Sequence, residues 1–150
     1  MSLRGRTAQS NTGPAVGTRP AREPVGMRQQ CSVLVVDDEA DIRLLTRMQL
    51  EVDDHFTVIG EAADGLHAVR LAGELQPDAI LLDLLMPNMS GMEALPLILD
   101  AAPDAVVVVV SALPAEVHED GASFLGAAAY ITKERLADAA AVLRPLCCTP

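Results

Sequence analysis

The sequence is poor in aromatic side chains and in cysteine. Its 150 residues contain no tryptophan, one tyrosine, two phenylalanines and three cysteines, although half of the residues are hydrophobic. The core must therefore be built from aliphatic side chains. An odd number of cysteines, without a C-x-x-C pair or histidines at ligand spacing, predicts neither a disulfide framework nor a zinc site. We interpret Cys31 as a small core residue and Cys147 and Cys148 as free thiols.

Long apolar segments are also missing from the chain. No run approaches the roughly 20 residues that a membrane-spanning helix needs, and the N-terminus lacks the hydrophobic segment of a secretion signal. These two absences predict a cytoplasmic protein that does not contact a membrane. The length predicts about one domain with a full-sized core.

Charge is distributed unevenly along the chain. Residues 1–30 carry five arginines and one glutamate, a net charge of +4, whereas the rest of the chain has a net charge of −14. We predict a disordered basic tail over 1–30, a folded domain over 31–146 and a C-terminal tail over 147–150. A body this acidic repels phosphate backbones, which argues against direct nucleic-acid binding by the domain.

From residue 31 onward, strand and helix patterns alternate. Apolar runs of strand length occur at 31–36, 56–62, 79–82, 105–111 and 128–132. Helical patterns follow them at 39–52, 65–76, 91–101, 114–125 and 133–143. In the first helix, the residues predicted to share one face are Ile42, Leu45, Met48, Gln49 and Val52.

The uniform apolar character of these strands predicts that helices cover both faces of the sheet. Such strands are typical of a parallel sheet with helices on either side. We therefore predict an α/β fold: a doubly wound, five-stranded parallel sheet of order 2-1-3-4-5, flavodoxin-like, with five helices in three α/β/α layers.

Polar side chains stand at the carboxyl ends of four predicted strands. They are Asp37 and Asp38, Asp83, Ser111 and Lys133. Functional groups gather at this edge of a doubly wound sheet, so we expect them to converge. Carboxylates brought together repel one another, and Mg²⁺ and the lysine are suitable compensating cations. An aspartate held in this way can attack phosphorus, and Asp83 at the centre of the sheet is the candidate nucleophile.

Four fragments in this order, VLVVDDEADIR, ILLDLLMPNMSG, VVVVVSAL and GAAAYITKE, resemble the receiver domain of two-component response regulators. The resemblance covers residues 31–146. It implies that Asp83 is the phosphoacceptor. It also implies that Asp38, Asp83 and the main-chain carbonyl of Leu85 ligate Mg²⁺, with Asp37 acting through a water molecule.

The same resemblance implies the switching groups and the partners. Ser111 and Lys133 would contact oxygens of the phosphoryl group, and Tyr130 with Ser111 would act as the switch. The donor would be a histidine kinase, a histidine phosphotransfer protein or acetyl phosphate. The face formed by the fourth helix, the fifth strand and the fifth helix would engage an output protein or a fused output domain, or form a homodimer.

Two features depart from the common family pattern. Lys133 is followed by Glu134, where many members have a proline after a cis peptide bond, so the reach of Lys133 is open. Leu85 and Leu113 occupy the two positions that tune water access to the acyl phosphate. Because neither side chain can orient a water molecule, we expect slow self-dephosphorylation.

Each candidate residue also has an ordinary structural interpretation. Asp38 could cap the first helix, and Asp83 could be a polar strand end before a turn. Ser111 could be a loop hydroxyl, Lys133 a solvated residue at a helix start, and Tyr130 a core aromatic.

Three alternative functions remain open. The chain could be the front half of a two-domain helix-turn-helix transcriptional regulator. An Mg²⁺-dependent phosphohydrolase of the aspartyl-phosphate type is disfavoured because Leu85 replaces its usual second acid. A degenerate receiver that binds a partner without phosphorylation is disfavoured by the complete acidic set.

Overall fold

A computed structural model describes residues 30–113 and 126–147 of the chain. The basic tail predicted over 1–30 lies outside the described residues except for Gln30. The fourth helix predicted over 114–125 and the last three residues, 148–150, also lie outside them.

Strands and helices alternate along the described residues. The elements are β1 (Cys31–Val36), α1 (Ala40–Glu51), β2 (Phe56–Ala62), α2 (Gly65–Leu75), β3 (Ala79–Asp83), α3 (Gly91–Ala101), β4 (Val106–Ser111), β5 (Ala129–Thr132) and α4 (Ala139–Cys147). A 3₁₀-helix over Lys133–Asp138 joins β5 to α4. Within the two described ranges, no helix is long and apolar enough to cross a membrane.

The five strands form one parallel sheet of order β2-β1-β3-β4-β5, which confirms the predicted fold class and topology. Successive residues of a strand point to opposite faces, so both faces of the sheet contribute to a core. On one face Val33 and Val35 of β1 pack in a cluster with α1 and α4. On the other face Leu34 and Leu82 pack in a cluster with α2 and α3. The central strands are apolar throughout because neither face is solvated.

The buried face of α1 differs from the predicted one. Its buried residues are Thr46 and Leu50, and Ile42 packs partly against the same core. The Thr46 hydroxyl donates a hydrogen bond to the Ile42 carbonyl at 2.7 Å, which satisfies a polar group inside the core. Three of the residues predicted to face the core are exposed instead: Leu45, Met48 and Val52. The prediction failed because it placed the face at a spacing of three to four residues from Ile42 towards Leu45 and Gln49, whereas the buried residues follow a spacing of four, through Thr46 to Leu50.

The last predicted helix is divided in two. Residues 133–138 form the 3₁₀-helix, and Arg135 leaves the helical region with φ −106° and ψ 22°. The α-helical part then runs four residues further than predicted, from Ala139 to Cys147. Cys147 therefore belongs to α4 and not to a C-terminal tail.

A disulfide joins Cys31, the first residue of β1, to Cys147, the last residue of α4. The Cα atoms of the two cysteines are 6.3 Å apart, within the normal range for a disulfide. The prediction of no disulfide and of a free Cys147 was therefore wrong. A separation of 116 residues carries no proximity signal in the sequence, and only the packing of α4 along the sheet brings the two together.

Reduction of this disulfide should lower the free energy of unfolding. A cross-link over a long loop restricts the unfolded chain, and such bonds typically contribute about 2–4 kcal/mol. Urea unfolding followed by circular dichroism, with and without dithiothreitol, measures the difference. Cys147→Ser should match the reduced protein, whereas Cys148→Ser keeps both bonded cysteines and should remain sensitive to reductant. Equal stability under both conditions would contradict the expectation.

Candidate functional site

The carboxyl ends of β1, β3, β4 and β5 meet at one edge of the sheet. Three polar residues at this edge are almost completely buried: Asp37 is 3% exposed, Asp83 1% and Ser111 0%. Ser111 lies opposite Thr132 in the pairing of β4 with β5, and Lys133 follows directly. The strand order thus brings these polar residues together at the carboxyl edge of the sheet.

Lys133 is the centre of this region. Its Nζ lies 3.0 Å from Oδ2 of Asp37 and 3.3 Å from Oδ2 of Asp83, so a single ammonium bridges two buried carboxylates. Nζ also lies 3.5 Å from Oε1 of Glu39. The lysine side chain is only 18% exposed, which excludes the interpretation of Lys133 as a fully solvated helix-start residue. Glu39 was not among the site residues predicted from the sequence, although its position directly after the two aspartates is a usable signal.

The electrostatics of the site favour an additional cation. Burial, and then the charge of Asp37, raise the pKa of Asp83 to about 6. Burial also raises the pKa of Asp37, although hydrogen bonds from the Glu39 amide and from Lys133 oppose the shift. Burial lowers the pKa of Lys133, but the hydrogen bond to Asp37 and the charges of Asp83 and Asp37 outweigh it and leave a net increase. One ammonium therefore does not fully compensate the carboxylates.

The donor set at this edge fits Mg²⁺. Asp37, Asp38 and Glu39 can each offer one carboxylate oxygen, and these oxygens lie within 4.8 Å of one another. Mg²⁺ prefers oxygen ligands and is commonly held by one or two carboxylates together with waters. Asp83 is not part of this close group and is connected to it through Lys133. The α1 N-cap is Glu39, without a side-chain cap bond, so capping does not account for Asp38.

The loop after β3 is held tightly against the strand end. Gly91 donates a hydrogen bond to the Leu84 carbonyl at 2.9 Å, and a Cβ at Gly91 would collide with the main chain of Asp83 and Leu84. Only glycine permits this approach. Ser90 caps α3 by accepting from the Glu93 amide at 3.2 Å, and the Glu93 carboxylate accepts from the Ser90 amide. These contacts hold the loop that follows Asp83 close to the end of β3.

Leu85 contacts Asp83 through its main chain. Its amide donates a hydrogen bond to Oδ1 of Asp83 at 3.2 Å, while its side chain is 51% exposed. The two oxygens of Asp83 therefore have different partners, the Leu85 amide on Oδ1 and Lys133 on Oδ2. Ligation of a metal by the Leu85 carbonyl stays a prediction.

Leu113 connects the two predicted switch residues. Its amide donates to Oγ of Ser111 at 3.2 Å, and its carbonyl accepts from the Tyr130 hydroxyl at 2.6 Å. Tyr130 is half-buried rather than enclosed in the core. The peptide bond between Lys133 and Glu134 is trans, as are the other described peptide bonds, and Lys133 nevertheless reaches both buried aspartates.

This geometry can be compared with known proteins. The family model of the response regulator receiver domain matches residues 33–142. The chain belongs to this family.

Curated relatives with similar sequences carry the names of two different classes of protein. The transcriptional regulatory protein YdfI of Bacillus subtilis is 40% identical over 102 residues, which cover 68% of this chain and 47% of the relative. A protein-glutamate methylesterase/protein-glutamine glutaminase of Maricaulis maris is 45% identical over 103 residues, or 67% and 26% of the two chains. The chain thus spans about half or less of the length of these relatives.

Solved structures agree with the fold. The response regulator domain of Thermotoga maritima CheB superposes with a TM-score of 0.68 at 32% identity, covering 79% of this chain and 96% of that domain. A LuxR-family response regulator from Aurantimonas sp. SI85-9A1 gives a TM-score of 0.74 at 26% identity, covering 80% and 86%.

Asp83→Asn should stabilise the protein in Mg²⁺-free buffer above pH 6. The pKa of Asp83 rises from 3.8 to about 6 on folding, a shift worth about 3 kcal/mol between its two protonation states. The stabilisation from the protonated carboxyl is complete below pH 3.8 and is lost as the pH rises through about 6. The variant should therefore gain about 1–3 kcal/mol at pH 8 and less at pH 5.

Urea unfolding in EDTA at several pH values measures this difference. Asp104→Asn removes the same charge from an exposed turn and should show no comparable pH-dependent gain. A stabilisation by Asp83→Asn that grows as the pH falls would contradict the expectation.

Proposed function

We propose that this receiver domain accepts a phosphoryl group on Asp83 and thereby switches a binding face. The observation that carries the proposal is the buried Asp83 carboxylate, joined by the Lys133 ammonium to the Asp37 carboxylate at the sheet edge. A structural ion pair alone would not need a second buried carboxylate, because an unpaired buried charge is unfavourable.

The reaction is a direct transfer between two nucleophiles. One carboxylate oxygen of Asp83 forms a bond to phosphorus while the bond from phosphorus to the donor breaks. The leaving group is a histidine side chain of a kinase or phosphotransfer protein, or acetate when the donor is acetyl phosphate. The product is an acyl phosphate on Asp83, a recognised form of carboxylate nucleophilic catalysis.

In the proposed site Asp38, Asp83 and the Leu85 carbonyl would hold Mg²⁺, and Asp37 would act through a water molecule. When bound, the ion offsets the negative charge on the transferring phosphoryl oxygens. Lys133 already contacts Oδ2 of Asp83 and is placed to follow that charge to a phosphoryl oxygen. The Leu85 amide orients the other carboxylate oxygen.

The contacts of Leu113 support a route from phosphorylation to the surface. A phosphoryl group adds close to two negative charges, which attract the Ser111 hydroxyl. Ser111 then gives up its hydrogen bond from the Leu113 amide, and the Leu113 carbonyl holds the Tyr130 hydroxyl. Movement of Ser111 therefore changes the environment of Tyr130, which makes the two residues parts of one two-state element.

The proposed output surface combines the predicted helix at 114–125 with β5 and α4. An output protein, a fused output domain or a second copy of the chain would bind there. A fused output is supported by relatives in which the receiver is one part of a transcriptional regulator or of a methylesterase. The net negative charge of the domain argues that any contact with nucleic acid belongs to such an output. We place the protein in the cytoplasm, where phosphorylation by a kinase would occur and where cellular reductants would favour the reduced form of Cys31 and Cys147.

Acetyl phosphate with Mg²⁺ should add one phosphoryl group to the protein, as measured by intact mass. Asp83→Asn should abolish the addition, whereas Asp100→Asn, at an exposed position on α3, should leave it unchanged. Continuous release of phosphate without a stable adduct would indicate a phosphohydrolase. The absence of both would indicate a degenerate receiver.

The phosphorylated form should be long-lived. Leu85 and Leu113 flank the site with apolar, exposed side chains that cannot orient an attacking water molecule. The decay of the intact-mass adduct after donor removal measures the lifetime, and Leu85→Asn should shorten it severalfold. Leu97→Asn places the same change on an exposed position of α3 and is the matched control. A wild-type lifetime of only seconds would contradict the expectation.

A further inference from the structure

We propose that Arg43 is a positioning residue for the Mg²⁺ site, acting through the peptide unit that joins Asp37 to Asp38. This inference rests on the proposed function, because it concerns the metal that the phosphoryl transfer requires. Nη1 of Arg43 donates to the main-chain carbonyl of Asp37 at 2.8 Å.

The carbonyl group that Arg43 binds lies between the two adjacent aspartates of the site. It belongs to the planar peptide unit between Asp37 and Asp38, so its orientation sets the torsion angles on both sides. Those torsion angles decide the direction of the two carboxylates. The Asp37 amide is separately fixed by a 3.0 Å bond to the Ala62 carbonyl of β2. Arg43 therefore supplies the second of two hydrogen bonds that restrain the main chain of Asp37, one residue beyond the end of β1.

Arg43 is itself held in place from the other side. Its Nε donates to Oε1 of Glu61 on β2 at 3.2 Å, and its side chain is 19% exposed. Arg47 binds Oε2 of the same carboxylate with Nε at 2.9 Å and Nη2 at 2.7 Å. The hydrogen bonds from Arg47 and Arg43 outweigh burial and lower the pKa of Glu61, so the anchor stays ionised at neutral pH. A planar guanidinium can hold both Glu61 and the Asp37 carbonyl in fixed directions, which an ammonium cannot do.

The direction of the change in Mg²⁺ affinity distinguishes a positioning role of Arg43 from a purely electrostatic one. A cationic side chain next to a cation site repels Mg²⁺, so loss of the Arg43 charge alone would tighten metal binding. Loss of positioning would weaken it. Outer-shell groups that orient metal ligands typically contribute about 10–100-fold to affinity.

Two substitutions of Arg43 and one of Arg47 test the inference on the full chain. Arg43→Gln removes the charge, and Arg43→Lys keeps the charge but offers a single donor group. Arg47→Gln removes the same charge from the same Glu61 without touching Asp37. Mg²⁺ dissociation constants are measured by calorimetry, and circular dichroism melting reports the fold of each variant.

We expect both Arg43 variants to bind Mg²⁺ about tenfold more weakly and Arg47→Gln to bind as well as the wild type or slightly better. In acetyl phosphate assays the half-saturating Mg²⁺ concentration should rise by a similar factor in the Arg43 variants, while the rate at saturating Mg²⁺ changes little. If Arg43→Gln does not fold, the charge-conserving Arg43→Lys carries the test alone.

Three results would overturn the inference. Unchanged or tighter Mg²⁺ binding by the Arg43 variants would show that the contact with Asp37 does not orient the site. Equal weakening by Arg47→Gln would assign the effect to Glu61 or to the fold. Failure of the wild-type protein to bind Mg²⁺ would instead overturn the proposed function, and the inference with it.

Discussion

The bridge from Lys133 to two buried carboxylates is the interaction on which the rest of the site depends. Asp37 and Asp83 come from different strands and are almost inaccessible to water. Without an ammonium between them, both would favour the neutral form, and the sheet edge would bear an uncompensated charge. With it, one positive charge faces at least two negative ones, and the pKa of Asp83 still rises. The excess negative charge at this edge favours the binding of another cation.

The strand order explains why Lys133 can make this bridge. In the order β2-β1-β3-β4-β5, Lys133 follows the edge strand and must reach past the end of β4 to contact Asp83 on β3. The residue at the end of β4 is Ser111, a small side chain that is completely buried. Ser111, at the end of the strand that Lys133 must pass, is therefore also the residue proposed to respond to phosphorylation.

Sequence patterns predicted the sheet well because β1, β3 and β4 are continuous apolar runs and a polar residue stands at or directly after the carboxyl end of each. They also predicted the meeting of Asp37, Asp83 and Lys133, since the carboxyl ends of parallel strands share one edge. They failed for α1, where Thr46 lies on the buried side with Leu50 and Met48 is exposed. Burial of Thr46 is possible because its hydroxyl bonds to the Ile42 carbonyl of the same helix. They failed for the Cys31–Cys147 disulfide because the contact depends on where α4 ends relative to β1.

Two cationic side chains bind Asp37, one at its carboxylate and one at its main-chain carbonyl, and the two contacts differ in how easily they can be exchanged. Lys133 binds its carboxylate at 3.0 Å, and Arg43 binds its main-chain carbonyl at 2.8 Å. A side-chain ion pair can be exchanged when charge appears on Asp83, because the flexible lysine can exchange one acceptor for another. A backbone carbonyl fixed by a guanidinium that is itself bound to Glu61 has no such freedom. The site thus combines a flexible cation beside Asp83 with a fixed one behind Asp37. In the proposed mechanism, new charge on Asp83 would therefore displace Lys133 and Ser111 rather than the loop that carries the acidic residues.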